Sequence, residues 1–346
     1  MTGIAGWDIG GAHLKLARFE GETIVAAVQL PCALWRGLDE LRRALATALE
    51  DLGPVQRHAV TMTGELVDLF ADRAEGVAAI LDVIAEFLPR AATAAYTIKG
   101  EFLSAERAKV SPGLIASANW HATSQYLASR VQDGLLIDIG STTTDIVPFV
   151  EGRVAARGTT DVERLATGEL VYTGVARTPL AAVAQEVPFG GRMVGVMAEF
   201  FATAADAHRL AGTLPDGADL HATADNRGKS LPQSRARLAR MIGMDAGAAP
   251  ESVWCRLAEV FIRRQTSLIE TALDRVLSGS DLPAGAPVIG AGTGRFLAAE
   301  IARRFQRPYR DFGDTIAAAN PRLRALASDI APAVAVALLL SRASAA

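Results

Sequence analysis

Apolar residues recur along this chain with two different periods, and each change of period marks an element. Between Leu38 and Leu52, and again through EGVAAILDVIAEFL, they return every three or four positions, the spacing of a helix with one buried face. HAVTMTG predicts a short strand ending in a turn, and AAYTIKGEFLSAERA a strand, a turn and a helix start. From Pro179 to Ser278 the spacing predicts a long helical stretch, broken at HATADNRGKSLPQ by a polar loop between helices. APVIGAGTGRFLAAEIARRF then gives strand, glycine loop and helix, and SDIAPAVAVALLLSRA has the small-residue spacing of a buried helix. Its apolar run, Ile330 to Leu340, is too short to span a bilayer.

Compared with itself, the chain shows an internal repeat. AGWDIGGAHLKLARFEGETIVAA near the start and LLIDIGSTTTDIVPFVEGRVAA in the middle follow one plan. Each has a strand ending in Asp-Ile-Gly, a tight turn (Gly10–Ala12 and Ser141–Thr143), a returning strand, a Glu-Gly turn and a third strand. The repeat predicts two α/β lobes, residues 1–131 and 132–346, with a helical insertion at about 179–278 in the second.

The chemistry concentrates in these hairpins. A carboxylate at the end of a buried strand is costly unless it is paired or holds a cation. Asp8 and Asp138 occupy that place in the two copies, and the glycines and hydroxyl residues that follow let backbone N–H groups approach an anion. Two facing hairpins of this kind form a clamp for a phosphate chain. Gly10, Gly11, Ser141, Thr142 and Thr143 are the expected diphosphate contacts, with Lys15 placing its ammonium over the same anion. Asp8 and Asp138 would hold magnesium mainly through its waters, because that ion dehydrates reluctantly.

A third motif, VIGAGTGR, brings Gly290, Gly292 and Gly294 to the start of a helix. In this order the three motifs resemble phosphate-one, phosphate-two and adenosine motifs of the actin/hexokinase/Hsp70 superfamily, a duplicated ribonuclease H-like fold. Such a fold does not fix a reaction. Further segments, TMTGELVDLF, SANWHATSQYL, DIGSTTTDIVP, RLATGELVYTGVARTP, AEFFATAADAHRL and TADNRGKS, resemble the hydantoinase/oxoprolinase-like family linked to tetrahydromethanopterin one-carbon metabolism. The resemblance is strong from about Thr61 to Ser230 and looser beyond.

What this resemblance implies is a transferase of methanofuran or methylofuran biosynthesis. An aminomethyl-furan bearing CH2–O–diphosphate would lose pyrophosphate, and the phenol oxygen of a (γ-glutamyl-)tyramine or of tyrosine would take its place. Magnesium is the expected cofactor, and ATP is compatible but not required. The alternative is an ATP-dependent small-molecule kinase or a hydantoinase/oxoprolinase-type ATPase, which the glycine motif would serve. The phenol needs a base, and Glu65, Glu169, Asp145 and His121 all remain open for that role. Asn119, with Trp120, is expected to line the acceptor pocket, Tyr172 to stack on an aromatic substrate, and Arg227 and Lys229, in the loop with Asp225, to capture an anion.

Composition narrows the setting. The formal net charge is −3 with both signs interspersed, unlike the basic footprint of a nucleic-acid binder. Two cysteines far apart, Cys32 and Cys255, do not suggest a disulfide framework or a structural zinc site. The five histidines show no metal-ligand spacing. These features fit a cytoplasmic enzyme acting on small molecules, with no nucleic-acid or membrane partner.

Overall fold

The computed structural model describes residues 3–50 and 52–343. Strands β1 (Gly3–Ile9), β2 (His13–Glu20) and β3 (Thr23–Pro31) form an antiparallel meander, followed by helix α1 (Leu38–Glu50). Strand β4 (Arg57–Met62) returns parallel to β1, and β5 (Thr93–Tyr96) lies parallel to β4 after helix α2 (Arg73–Phe87). A short β6 (Phe102–Leu103) and helices α3 (Ala105–Lys109), α4 (Pro112–Ile115) and α5 (Asn119–Ala128) complete this part. Every residue of β1 is buried, as expected of a strand covered on both faces.

The second lobe repeats the plan. Strands β7 (Gly134–Ile139), β8 (Thr144–Val150) and β9 (Arg153–Val154) form its meander. Helix α6 (Asp161–Thr167), held by a capping box at Thr160, leads to β10 (Leu170–Val171), which pairs with β8. After the insertion come β13 (Val288–Ala291), helix α10 (Arg295–Arg304) and β14 (Tyr309–Asp311). The duplicated order is plain: β3-β2-β1-β4-β5 in one sheet and β9-β8-β7-β13-β14 in the other, with matching directions. This is the duplicated ribonuclease H-like fold of the actin/hexokinase/Hsp70 superfamily.

The insertion is less uniformly helical than its spacing suggests. It begins with a β-hairpin, β11 (Glu186–Phe189) and β12 (Arg192–Gly195). Its turn is the pair Gly190–Gly191, both with positive φ, the two-residue hairpin signal that helical spacing alone overlooks. Helices α7 (Ala204–Leu210), α8 (Leu231–Arg240) and α9 (Glu251–Ser278) follow, enclosing their own core around Trp254, Phe261 and Leu238.

The chain then adds β13 (Val288–Ala291), α10 (Arg295–Arg304) and β14 (Tyr309–Asp311) to the second sheet. Strand β15 (Ala317–Ala318) crosses back to pair with β3, and α11 (Pro321–Asp329) and α12 (Ala331–Ala343) bring the chain against the first sheet. Residues 317–343 thus follow the second lobe in sequence but complete the first in space. No single helix among the described residues is long and apolar enough to cross a membrane. The α11–α12 pair is bent by 101°, and α12 is almost wholly buried.

Helix α12 lies on β1 because both surfaces are small. A Cβ at Gly6 would run into the carbonyl oxygen of Ala333 and stand 2.9 Å from the Ala337 Cβ. Neither backbone can yield without separating helix from sheet. Gly6→Val should therefore cost about 3 kcal/mol or more of unfolding free energy. Chemical denaturation will check this: a variant as stable as the wild type would show that the helix does not depend on this close approach.

Candidate active site

The two hairpins meet at a cleft of about 450 Å³ lined from both lobes. Their turns are built alike. The N–H of Gly10 donates to the His13 carbonyl at 2.9 Å, and the N–H of Gly140 donates to the Thr143 carbonyl at 2.9 Å. Among the described residues, the N–H groups of Gly11, Ala12, Thr142 and Thr143 find no protein acceptor. Such free donors at two facing turns suit an anion. Gly10, Gly11, Ser141, Thr142 and Thr143 all line the cleft.

Strand register explains how the copies diverged. Asp8 faces Lys15 across the first hairpin, and Asp138 faces Asp145 across the second. The same position thus carries a cation in one copy and an acid in the other. The Lys15 ammonium sits 3.3 Å from Asp8. Burial disfavours its charge, yet the Asp8 and Asp138 carboxylates outweigh that and raise its pKa. Lys15 lines the cleft, but as a partner of carboxylates rather than a free anion-binding cation.

Positive charge without a counter-ion comes instead from Arg177, which also lines the cleft. Its guanidinium lies 4.5 Å from the Trp35 ring centroid and donates to the Thr142 hydroxyl at 3.4 Å. Among the described residues it has no carboxylate partner, and burial lowers its pKa. Beside it, His13 bonds the Ser141 hydroxyl at 3.4 Å and packs 4.8 Å from His221. Burial, then the neighbouring His221, Lys15 and Arg177, hold His13 well below its ordinary pKa. Trp35 lies in no sequence motif; His13, Arg177 and His221 lie in the first hairpin, in RLATGELVYTGVARTP and at the start of the polar loop, without standing out there as site residues.

Trp120, Asn119, Leu170 and Tyr172 also line the cleft, Tyr172 near enough to Arg177 to interact with it electrostatically. The Arg164 guanidinium lies 4.0 Å from the Trp120 ring centroid and donates to the Asp145 carboxylate at 2.9 Å. Asp145 lines the cleft; burial raises its pKa and Arg164 partly offsets that. The other expected bases lie elsewhere. Glu169 is buried outside the lining, accepting from the N–H groups of Arg157 and Gly158 and from the Thr167 hydroxyl. His121 turns from the cleft to the Tyr96 hydroxyl at 2.9 Å, and burial, then Arg164, bring its pKa to about 4. Glu65 is buried outside the lining, where it accepts from Ser117, a cleft residue.

Arg227 and Lys229 are likewise absent from the lining. The Lys229 ammonium donates to the Asp219 carbonyl at 2.6 Å, and buried Arg237 ties the loop together through Asp225 and the Gly228 carbonyl. The loop reaches the cleft rim through His221 instead, which packs on His13 and Trp35. The glycine motif is also set back. A Cβ at Gly292, whose φ is +79°, would collide with the Asp138 carboxylate and the Ile139 carbonyl. Gly290 abuts Tyr309, and Gly294 abuts Ile139 and Val175. The N–H groups of Gly292 and Gly294 are spent on the Ser328 and Ile139 carbonyls, and Arg295 is engaged by Asp311 and Asp329. None of these residues lines the cleft.

Asp8 lines the cleft, whereas Asp138 is absent from its lining and lies against Gly292; together these carboxylates suit a hydrated divalent ion. One Asp8 oxygen is buried with no hydrogen-bond partner. Asp138 is pushed up to about 7 by burial, eased by Lys15 and aggravated by Asp145, Asp8 and Asp329. Among the described residues no group of three or more side chains forms a complete metal cage. With one unpartnered oxygen on Asp8, the two aspartates are carboxylates of the kind that a magnesium ion keeping most of its waters would take.

The sequence profile of the hydantoinase/oxoprolinase family matches residues 56–310. The chain is 30% identical over 275 residues, 79% of its length, to a Methanocaldococcus jannaschii protein, covering 81% of that relative. The relative is named (4-{4-[2-(gamma-L-glutamylamino)ethyl]phenoxymethyl}furan-2-yl)methanamine synthase. The chain belongs to the hydantoinase/oxoprolinase family. A Methanococcus vannielii protein of the same name is 32% identical over 149 residues, 42% of this chain and 64% of the relative. Among solved structures, component A of the (R)-2-hydroxyglutaryl-CoA dehydratase of Acidaminococcus fermentans covers 100% of both chains at 10% identity and a TM-score of 0.49. A ROK hexokinase from Thermus thermophilus covers 98% of both at 17% identity and a TM-score of 0.41.

In this member of the hydantoinase/oxoprolinase family, Asp138 makes a pH signature. Its pKa is about 7 when folded, against an ordinary value of 3.8. Between those values the folded state holds a proton that the unfolded state lacks, so this group's contribution to stability falls as pH rises. Buried His58 and His121, each near 4, act in the opposite sense up to about their ordinary pKa of 6.5. The difference between wild type and Asp138→Asn separates the two. In metal-free buffer, the variant's stability relative to wild type should grow from pH 4 to 7 and level off above. A constant difference across that range would show that Asp138 is an ordinary carboxylate.

Proposed function

We propose that this chain joins a furan to a phenol through an ether, with diphosphate as the leaving group, in methanofuran-type or methylofuran biosynthesis. The observation that carries this reading is its 30% identity over 79% of the chain to a synthase whose printed name contains a phenoxymethyl-furan, the product of such a bond. The cleft supports it with free N–H donors and Arg177 for a diphosphate and with Trp120 and Tyr172 for aromatic rings.

The donor is an aminomethyl-furan bearing CH2–O–diphosphate. The bond from the furfuryl carbon to the diphosphate oxygen breaks, and its electron pair leaves with pyrophosphate. The furan oxygen stabilises the electron-poor methylene, the phenol oxygen bonds to it, and the phenol proton passes to a base. Arg177 and the free N–H groups of the two turns bind the charge that grows on the leaving group. Asp8 and Asp138 would hold magnesium, which when bound neutralises part of that charge. Asp145 is the base: it lines the cleft, burial raises its pKa, and Arg164 fixes its orientation. Glu169 and His121 stay outside this chemistry, the first saturated by backbone donors and the second bonded to Tyr96.

Two observations favour this over an ATP-dependent kinase or ATPase. The N–H groups of Gly292 and Gly294 are already engaged, and none of the motif's glycines lines the cleft. Incubated with synthetic aminomethyl-furan diphosphate, a tyramine- or tyrosine-type phenol and magnesium, nucleotide-free protein should form the ether and release pyrophosphate. Mass spectrometry will read both products; a strict need for ATP would overturn the reading. Arg177→Ala should lower turnover by on the order of 100-fold, the usual loss on removing an oxyanion donor, with unchanged circular dichroism. Asp8→Asn should lose at least as much, and full activity in either folded variant would contradict the clamp.

A further inference from the structure

A second groove of about 370 Å³ adjoins the cleft, and the two share Leu170 and Tyr172 as a common wall. It runs between the α6–β10 segment and the outer face of α9, where Gly168, at φ +83°, lets the chain pass close to Ala272. Leu165, Leu268 and Tyr172 stand exposed along it at 47%, 42% and 62%, an unusual apolar display for a surface beside a site. Arg275 is its charged lining residue. That guanidinium donates to the Ala166 carbonyl at 3.2 Å and, among the described residues, has no carboxylate partner.

Charge separates the two spaces. The cleft lining mixes acids (Asp8, Asp68, Asp145 and Asp161) with cations (Lys15, Arg164 and Arg177), whereas, among the described residues, the one charged residue lining the groove is Arg275. With Lys15 and Arg164 paired to aspartates and Arg177 assigned to the diphosphate, a carboxylate on the acceptor's tail finds no free cation among the described residues of the cleft. Passing over Tyr172 it meets apolar walls and then a free guanidinium, a partner suited to a carboxylate.

We propose that this groove is the acceptor's second subsite, taking an extended amide-linked tail that ends in a carboxylate, of the γ-glutamyl type, and that Arg275 binds this carboxylate. The inference rests on the transferase reading above. It goes further by making the acceptor an extended phenol rather than free tyrosine, and by naming a specificity residue outside every motif.

The test compares tyramine with γ-glutamyl-tyramine in the wild type, in Arg275→Glu and in Ala182→Phe, which fills the groove from an exposed position. Turnover should favour the longer acceptor in the wild type. Both variants should cut that preference by about tenfold, through KM rather than kcat, as expected for a lost binding contact. Calorimetry of γ-glutamyl-tyramine binding, without the furan, gives an independent readout that should weaken by a similar factor. Equal effects on both acceptors, or none, would overturn the subsite. A change in oligomeric state by sedimentation in Arg275→Glu, with acceptor preference intact, would overturn it too and make the groove an interface between chains. If no ether forms with either acceptor, the transferase reading fails, while calorimetry still shows whether the groove binds the tail.

Discussion

Buried negative charge in excess of its cations governs this molecule. Asp8, Asp138 and Asp145 end or begin the central strands of the two sheets, and Asp329 ends the helix beside them. Lys15 serves Asp8 and Asp138, Arg164 serves Asp145, and Arg295 serves Asp329. Asp138 has no cation of its own and rises to about 7. A carboxylate kept buried at that cost points to a ligand that brings positive charge. Just above, the turns and Arg177 present donors and a cation without a counter-ion. A magnesium–diphosphate pair would satisfy both halves at once.

Duplication supplied this geometry, and divergence made it useful. Each hairpin ends its first strand in an aspartate and closes its turn with the same glycine bond. The next equivalent position is Lys15 in one copy and Asp145 in the other. Lys15 makes the floor of the first hairpin tolerable, and Asp145 gives the second a carboxylate facing the cleft. The Arg164 that balances Asp145 also covers Trp120, so charge balance and the aromatic lining share one side chain. Helix α12 on Gly6 and the glycine motif against Asp138 fix the strands from behind.

The sequence made the hairpins legible because strand, aspartate and turn are consecutive. The duplicated fold followed from their repetition. Roles that arise through tertiary contact were not legible: His13 lies in the first hairpin and Arg164 and Arg177 in RLATGELVYTGVARTP, yet their part in the site, like that of Trp35, shows only where different elements meet. Thr-Gly-Glu-Leu occurs twice and looks like a repeated site, yet in both copies the glutamate is buried outside the cleft lining. Helical spacing in the insertion hid the Gly190–Gly191 hairpin, and the charged loop that suggests anion capture is tied down internally by Arg237. The glycine motif has the form of a nucleotide site, but the N–H groups of Gly292 and Gly294 are engaged by protein carbonyls.

Binding decides most directly whether the clamp holds a diphosphate or serves a nucleotide. Isothermal titration of nucleotide-free protein with pyrophosphate and with ATP, each with magnesium and each repeated on Arg177→Ala, measures it. The account predicts that pyrophosphate binds, that ATP gains no affinity over it from its adenosine, and that the substitution weakens both by a similar factor. Tight ATP binding that pyrophosphate does not approach, and that survives loss of Arg177, would contradict it.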